Sequence, residues 1–449
     1  GQRFAELDQF PQVEKVTGAP KPVKLISFNN SAFESYGLRR NENATVSEIA
    51  GVRATRALNR LLDPSFPDPN DPQRSLPPRN IRHGDTAVCY WATSQSYEAK
   101  EAVDSMAGLL QGDSPETVGN VYKSVWYGKA VEINDDSTFY VLILSGAQGR
   151  AVVRDWIETT LRETIRHLAT HFDDLRIVRS ARPKAGNLET PAIPLRWLME
   201  ALVAEGKSDN VPASLEAGFL RATITGVPYP FQLLQRAMVR SRVEAGRNEW
   251  MDAARRDARA ALIRAVLNRR RRFDPQALSR YPEVPVALSV NLESEGYALG
   301  ALMAVLERLQ QAALGDVNAS LVDRYFSAAS ASPRSVFIRL LKNSRHHARK
   351  ASESDDQKER GLAHRLDRMV DFFCSRFNVD RKRYPQPSAG IPTHLDLEQQ
   401  GLFVIGYHQM RHWLWMPKAD REKWELENSD APAVFRSKAV EAGADPDAA

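Results

Sequence analysis

Val322-Asp-Arg-Tyr-Phe-Ser-Ala-Ala-Ser-Ala-Ser-Pro-Arg-Ser-Val-Phe-Ile-Arg-Leu-Leu-Lys-Asn-Ser-Arg-His-His-Ala-Arg-Lys350 holds a helix start, an apolar stripe and a positive face in one stretch. Pro333 suits the first helical position, where its missing N–H leaves nothing unpaired, and Ser332 before it is a good N-cap. At ~100° per residue, Val336, Phe337, Leu340 and Leu341 fall in one stripe, while Arg339, Lys342, Arg345, Arg349 and Lys350 gather opposite. Ile338 lies off the stripe. From Arg324 to Lys350 there are seven Lys or Arg and no acid. Such a face points to a polyanion, and it fits a solvated helix surface equally well.

Working outward, the stripe needs helical partners. Leu299, Leu302, Leu306, Leu309 and Ala313 recur at steps of three and four, as do Leu362, Leu366, Met369 and Phe373. Leu402 to Trp415 is a further helix rich in large apolar groups. Together with the basic helix they predict a four- or five-helix bundle. Residues 290–417 are of a size that folds independently and are expected to do so.

Upstream, residues 249–272 read as a long helix closing on Arg269, Arg270, Arg271 and Arg272. One or two cations satisfy the negative end of a helix dipole, so the surplus points to phosphate. Short helices at 194–204, 212–223 and 230–242 each open on a proline. Before residue 183 the pattern is mixed. Lys24 to Asn29 reads as a strand, and Leu38 to Ala44 as a polar loop whose Arg39, Arg40 and Asn43 suit a phosphate or base edge. Ser47-Glu48 opens a helix with Arg53, Arg56 and Arg60 on one face, spaced to follow a phosphate backbone or to meet water. Pro64 to Pro78 reads as a loop and Thr86 to Ala92 as a strand. Residues 97–117 are loosely helical, 125–133 and 138–144 pair as a hairpin, and 150–171 form a helix.

The chain of 449 residues, 43% hydrophobic and 26% charged, has globular composition with a net charge of +5 and a pI near 9.1. Its basicity is therefore local. Cys89 and Cys374 lie far apart in apolar surroundings, which indicates neither a disulfide framework nor a zinc site and fits a reducing cytoplasm. The longest apolar run, Phe139 to Leu144, is far short of the roughly 20 residues that span a bilayer. The first residue is Gly rather than Met, from which an absent N-terminal portion is expected.

Enzymatic patterns fail on spacing. Gly206-Lys207-Ser208 ends like a phosphate-binding loop, but the earlier glycine position is Ala201. His346 and His347 are adjacent and diverge on a helix, so they cannot share a metal. His408 and His412 are spaced for zinc, but Gln-Met-Arg between them lacks the catalytic glutamate, and packing with Trp413 and Trp415 fits better. No catalytic residue, metal or cofactor is assigned.

Several stretches resemble one family. Ser27-Phe-Asn-Asn-Ser-Ala-Phe-Glu-Ser-Tyr-Gly37 with Asn43-Ala44 and Ser47-Glu48, then Gly84-Asp-Thr86, Phe139-Tyr-Val-Leu142, Thr225-Gly-Val-Pro-Tyr-Pro230, Asp323-Arg-Tyr-Phe-Ser-Ala-Ala-Ser330 and Leu397-Glu-Gln-Gln-Gly-Leu-Phe403 resemble the large subunit of type I-C CRISPR surveillance complexes (Cascade). The matches run in order to about residue 415. The chain departs at Gly146-Ala-Gln-Gly-Arg150, where the family usually has Pro-Asn-Ala-Ala-Arg. The resemblance implies a non-catalytic subunit of a crRNA-guided, multi-subunit complex. Such a subunit reads the short motif beside target double-stranded DNA, supports duplex opening and binds the displaced single strand. It also docks a helicase-nuclease. A separately made small subunit is implied for the helical C-terminal part.

The expectation is an α+β fold: a mixed region 1–185, a helical domain 186–285 with the basic helix, a C-terminal bundle 286–427 and a disordered tail 428–449. The runner-up is a stand-alone nuclease whose site lies in an absent N-terminal portion.

Overall fold

A computed structural model gives the chain an α+β fold in two compact units, Gly1–Asp173 with Pro183–Pro230, and Asp174–Arg182 with Phe231–Ala449. It describes residues 12–19, 21–28, 30–44, 46–64, 66–68, 71–94, 96–111, 125, 136–147, 150–180, 192–207, 210–245, 250–315, 317–379 and 390–436.

The first unit is built on a four-stranded antiparallel meander of β3 (Asn80–His83), β4 (Thr86–Ala92), β5 (Thr138–Ala147) and β6 (Arg150–Thr160), hydrogen-bonded in that order. Both faces are covered, which is why β4 is buried continuously from Thr86 to Tyr90 instead of alternating. On one face Ala87, Cys89, Leu144 and Ala151 meet Leu58 and Leu62 from the end of α1 (Glu48–Leu61), with Val13, Val16 and Val23. α2 (Tyr97–Gln111) also packs on β4.

Local expectations in this unit needed five corrections. Residues 24–28 make isolated bridges rather than a strand. The segment expected as a loop from Pro64 to Pro78 holds a two-stranded ladder, β1 (Phe66–Asp68) against β2 (Asp71–Leu76). Residues 150–160 are strand β6, and the helix α3 (Leu161–Leu175) begins only after them. The strand β3 was not anticipated. Finally, the hairpin expected between 125–133 and 138–144 is not formed, because β5 pairs with β4 on one edge and β6 on the other; apart from Val125, residues 125–133 lie outside the described residues. Short helices α4 (Leu195–Glu200) and α5 (Ala213–Thr225) complete the unit.

In the second unit, α6 (Gln232–Val243), α7 (Trp250–Phe273) and α8 (Pro275–Arg280) precede the bundle of α9 (Glu295–Leu314), α10 (Leu321–Ala331), α11 (Pro333–Ser352), α12 (Gln357–Ser375) and α13 (Leu397–Trp415). The helix α14 (Lys418–Glu427) follows. α9 is central, packing against α10, α11, α12 and α13. Its contact with α13 is backbone to backbone: a Cβ on Gly300 would stand 1.9 Å from the Phe403 carbonyl oxygen, and one on Gly406 2.1 Å from that of Tyr297. Only glycine permits so close a helix pair. The seam Leu299, Leu302, Leu306 and Leu309 is buried, and Phe403 joins Phe326 of α10 and Phe337 of α11 by edge-on ring contacts.

From Gly401 to Met410 α13 is buried on all sides. Its Gly401 faces Ile263 and Leu267 of α7 and Leu234 of α6, where the alanines Ala258, Ala261 and Ala265 of α7 also lie in the core. The tail, expected to be disordered from Asn428, is instead structured to Arg436. A 3₁₀ turn at Ala433–Phe435 sets Phe435 against Phe372, Phe373 and Trp413.

Candidate nucleic-acid interface

α11 carries its charge as its sequence indicates. Val336, Phe337, Leu340, Leu341, Ser344, Ala348 and Ala351 are buried, and Arg339, Lys342, Arg345, Arg349 and Lys350 are exposed. Arg349 pairs with Glu353 at 3.2 Å, a solvent-exposed i,i+4 contact that contributes little. Among the described residues, Arg339, Lys342, Arg345 and Lys350 make no ion pair. The helix starts at Pro333 as expected, but Ser332 does not cap it. Its backbone is off the capping geometry (φ −133°, ψ 65°), and its hydroxyl lies 3.2 Å from His394 Nδ1.

The arginines closing α7 behave in the opposite way. Arg269 is fully buried; its Nε donates to Asp174 Oδ2 at 2.8 Å, and its Nη2 lies 2.7 Å from the same oxygen in an ion pair. Arg272 holds the other oxygen of the same carboxylate at 2.5 Å. Arg270 donates to Glu398 Oε1 at 2.6 Å and lies over the Phe231 ring, while Arg271 donates to the Tyr281 carbonyl at 3.1 Å. The expectation that this run meets phosphate is therefore corrected for Arg269, whose charge is spent inside the unit. The other three keep part of their surface in water but already have protein acceptors.

In the first unit Arg53, Arg56 and Arg60 share the exposed face of α1, opposite Gly51, Thr55 and Leu58. Arg39 and Arg40 are exposed at a 3₁₀ turn, Arg40–Asn43. Asn43 plays a different part from the one expected. Its Oδ1 accepts from the Ser35 N–H at 3.2 Å, and its Nδ2 donates to the carbonyls of Leu38 (2.9 Å) and Arg40 (3.2 Å). The side chain is a clamp on the loop and has little capacity left for a base edge.

The turn that Asn43 clamps was not read from the sequence. Ser35 and Leu38 bridge across Tyr36 (φ 56°) and Gly37 (φ 76°), both left-handed, and the Tyr36 side chain is 101% exposed. A bulky residue at positive φ is strained by about 1–2 kcal/mol. The fold holds an aromatic ring in water at that cost. The only available signal was Tyr36-Gly37 between Ser35 and Leu38, which is weaker than Asn-Gly for such a turn.

His346 and His347 diverge on α11, and burial lowers the pKa of His347, with the neighbouring His346 and Lys350 adding to the effect. His408 donates from Nε2 to the Val178 carbonyl at 2.8 Å, inside the second unit. Among the described residues no group of three or more His, Cys, Asp or Glu is placed to hold a metal ion. Cys89 and Cys374 are buried and not joined in a disulfide, and burial pushes the Cys89 thiol up to about 12, so it is not a nucleophile. No described helix is long and apolar enough to cross a membrane.

Among curated proteins none matches the chain. The sequence model of the Cas_Csd1 CRISPR-associated proteins matches residues 1–415, which takes in the aromatic turn, the sheet and the bundle through α13. The chain thus belongs to the Cas_Csd1 family of CRISPR-associated proteins.

Proposed function

We propose that this chain is the non-catalytic large subunit of a type I-C, crRNA-guided DNA surveillance complex in the cytoplasm. In this reading it contributes to recognition of the target-adjacent motif, to opening of the duplex and to binding the displaced strand. It also offers a docking surface to the helicase-nuclease. Membership of a CRISPR-associated family supports a place in a multi-subunit defence complex. The observation that carries the nucleic-acid role is the face of α11, where four exposed cations have no counterion among the described residues. Cations left unpaired on a packed helix are available to neutralise phosphates and release counterions.

A second nucleic-acid surface in this reading is the loop bearing Tyr36, Arg39 and Arg40, with the α1 arginines as its continuation in sequence. Asn43 acts there by fixing the loop, and the exposed ring and guanidinium groups make the contacts. The nuclease alternative has no support in the family match or in any described side-chain cluster.

The test is reconstitution. A complex assembled with crRNA and this chain should open matched target DNA, read as permanganate-reactive thymines in the displaced strand. Omitting the chain should abolish that reactivity while the chain alone with DNA and Mg²⁺ leaves the DNA intact. Unchanged opening without the chain, or cleavage by the chain alone, would overturn the reading.

A further inference from the structure

A cleft of about 100 Å³ lies between α9, α10 and α11, next to the basic face but distinct from it. Its floor is Leu306, Leu321 and Leu340, one leucine from each helix. Its polar lining is Gln310, Arg324, Tyr325, Asn343, Ser344 and His347, with no carboxylate among them. Two of these are spent within the fold: Gln310 Oε1 accepts from the Leu321 N–H at 2.9 Å, and the Ser344 hydroxyl donates to the Leu341 carbonyl. Arg324, by contrast, is exposed and makes no ion pair or hydrogen bond among the described residues. A water needs roughly 10–15 Å³ in such a space, so the cleft is several waters large.

A guanidinium, a phenol, a carboxamide and an imidazole facing one carboxylate-free notch form a donor set suited to an oxyanion. The notch also has a direction. On α11, Arg339, Asn343 and His347 succeed one another at i, i+4 and i+8, with Lys350 one turn further, so the notch opens onto one flank of the row of unpaired cations. A chain of phosphates crossing that row would reach the notch next. Burial, with His346 and Lys350 adding to it, disfavours the charged form of His347, and the neutral ring offers one N–H and one acceptor.

We propose that this cleft seats one phosphodiester of a single-stranded nucleic acid, with Arg324 as the principal donor and Asn343, His347 and Tyr325 around it. The proposal rests on the nucleic-acid reading above, in which a single strand is bound, and adds to it the place where one of its phosphates sits. A recessed notch between three helices favours a flexible single strand, whose backbone can bend inward, over the stiff backbone of a duplex.

The full-length chain and fluorescein-labelled oligo-dT, compared with a labelled duplex of equal length, provide the test by anisotropy across a salt series. Arg324→Ala should weaken oligo-dT binding about three- to tenfold and flatten its log–log salt dependence by about 0.7, with less than about a twofold effect on duplex. Asn343→Ala should act in the same direction more weakly. Arg324→Lys should keep the salt slope while losing part of the affinity. Melting temperature should not move, because Arg324 is exposed and unpartnered.

If Arg324→Ala leaves oligo-dT binding unchanged while Arg345→Ala weakens it, the cleft is wrong and the nucleic-acid reading survives. Equal losses on single strand and duplex would overturn the strand preference, and competition by polyglutamate as strong as by unlabelled oligo-dT would assign the notch to an acidic protein partner. Failure of the unsubstituted chain to bind oligo-dT at low salt would remove both readings together.

Discussion

The end of α7 and the face of α11 are both arginine-rich, and they do opposite things. In α7 four consecutive arginines turn toward Asp174, Glu398 and a backbone carbonyl, and Arg269 is as buried as the leucines around it. In α11 the cations are spread along one side of the helix, over an apolar stripe that is itself buried, and four of them meet no acid. Local charge density is higher in α7, yet α11 has the phosphate-ready surface. A run of cations pointing in every direction must send some inward, where a carboxylate has to meet them. A periodic row sends all of them to one side. Spacing therefore distinguishes the two better than number does.

Excising α7 breaks the comparison most severely. The fragment 290–417 contains the bundle and was expected to fold alone, but it lacks the α6 and α7 side chains against which Gly401 and the rest of that α13 face pack. Expressed alone, it should melt without cooperativity or aggregate, checked by circular dichroism. Including residues 231–289 should restore a cooperative transition. A cooperative melt of 290–417 by itself would return α7 to a peripheral role.

Asp174→Ala comes next. It strands the buried Arg269 and frees Arg272, and removal of one partner from a buried pair costs about 3–5 kcal/mol. Denaturant titration should show the loss, and nucleic-acid affinity measured where the protein remains folded should be unaffected. A cost under about 1 kcal/mol would mean that the pair is incidental.

The inward region should also respond to pH. Burial lowers the pKa of His408 from 6.5 to about 4, with Arg256 and Arg411 adding to that, while its hydrogen bond to Val178 works the other way. Asp257, 3.8 Å away, already accepts from the Ser180 N–H. The unfolded chain then binds a proton that the folded one refuses, so stability is complete above about pH 6.5 and falls as pH drops toward 4, by about 3 kcal/mol at most. His408→Gln should lose that part of the pH dependence. Wild-type stability that is flat between pH 6.5 and 4 would contradict the assignment.

How much could be read beforehand follows the same division. The stripe and face of α11 and the leucine seam of α9 were legible because one period governed each helix from end to end. The strand β6 was not, since Val153, Trp156, Ile157, Leu161 and Ile165 satisfy a helical spacing across a strand-to-helix junction. The signal for that junction was present in Thr160-Leu-Arg-Glu163, a capping pattern in which the Glu163 N–H donates to the Thr160 hydroxyl at 3.2 Å. The ladder of β1 and β2 was hidden by Pro and Asp, which strands disfavour. The partners of Arg269 and Arg270 lie 95 and 128 positions away in sequence, beyond any local pattern. Arg324 and His347 come from different helices, so their cleft exists only once α10 and α11 have packed.

The most direct test of the account is the salt dependence of oligo-dT binding by two variants of the full chain, Arg339→Ala/Lys342→Ala/Arg345→Ala on α11 and Arg270→Ala/Arg271→Ala at the end of α7. The α11 variant should keep its stability to within about 0.5 kcal/mol per substitution and flatten the single-strand salt slope by about 0.7 for each lost phosphate contact. The α7 variant should lose stability and leave the slope in place. A slope unchanged in the α11 variant, or flattened equally in both, would contradict the assignment of α11 as the nucleic-acid face.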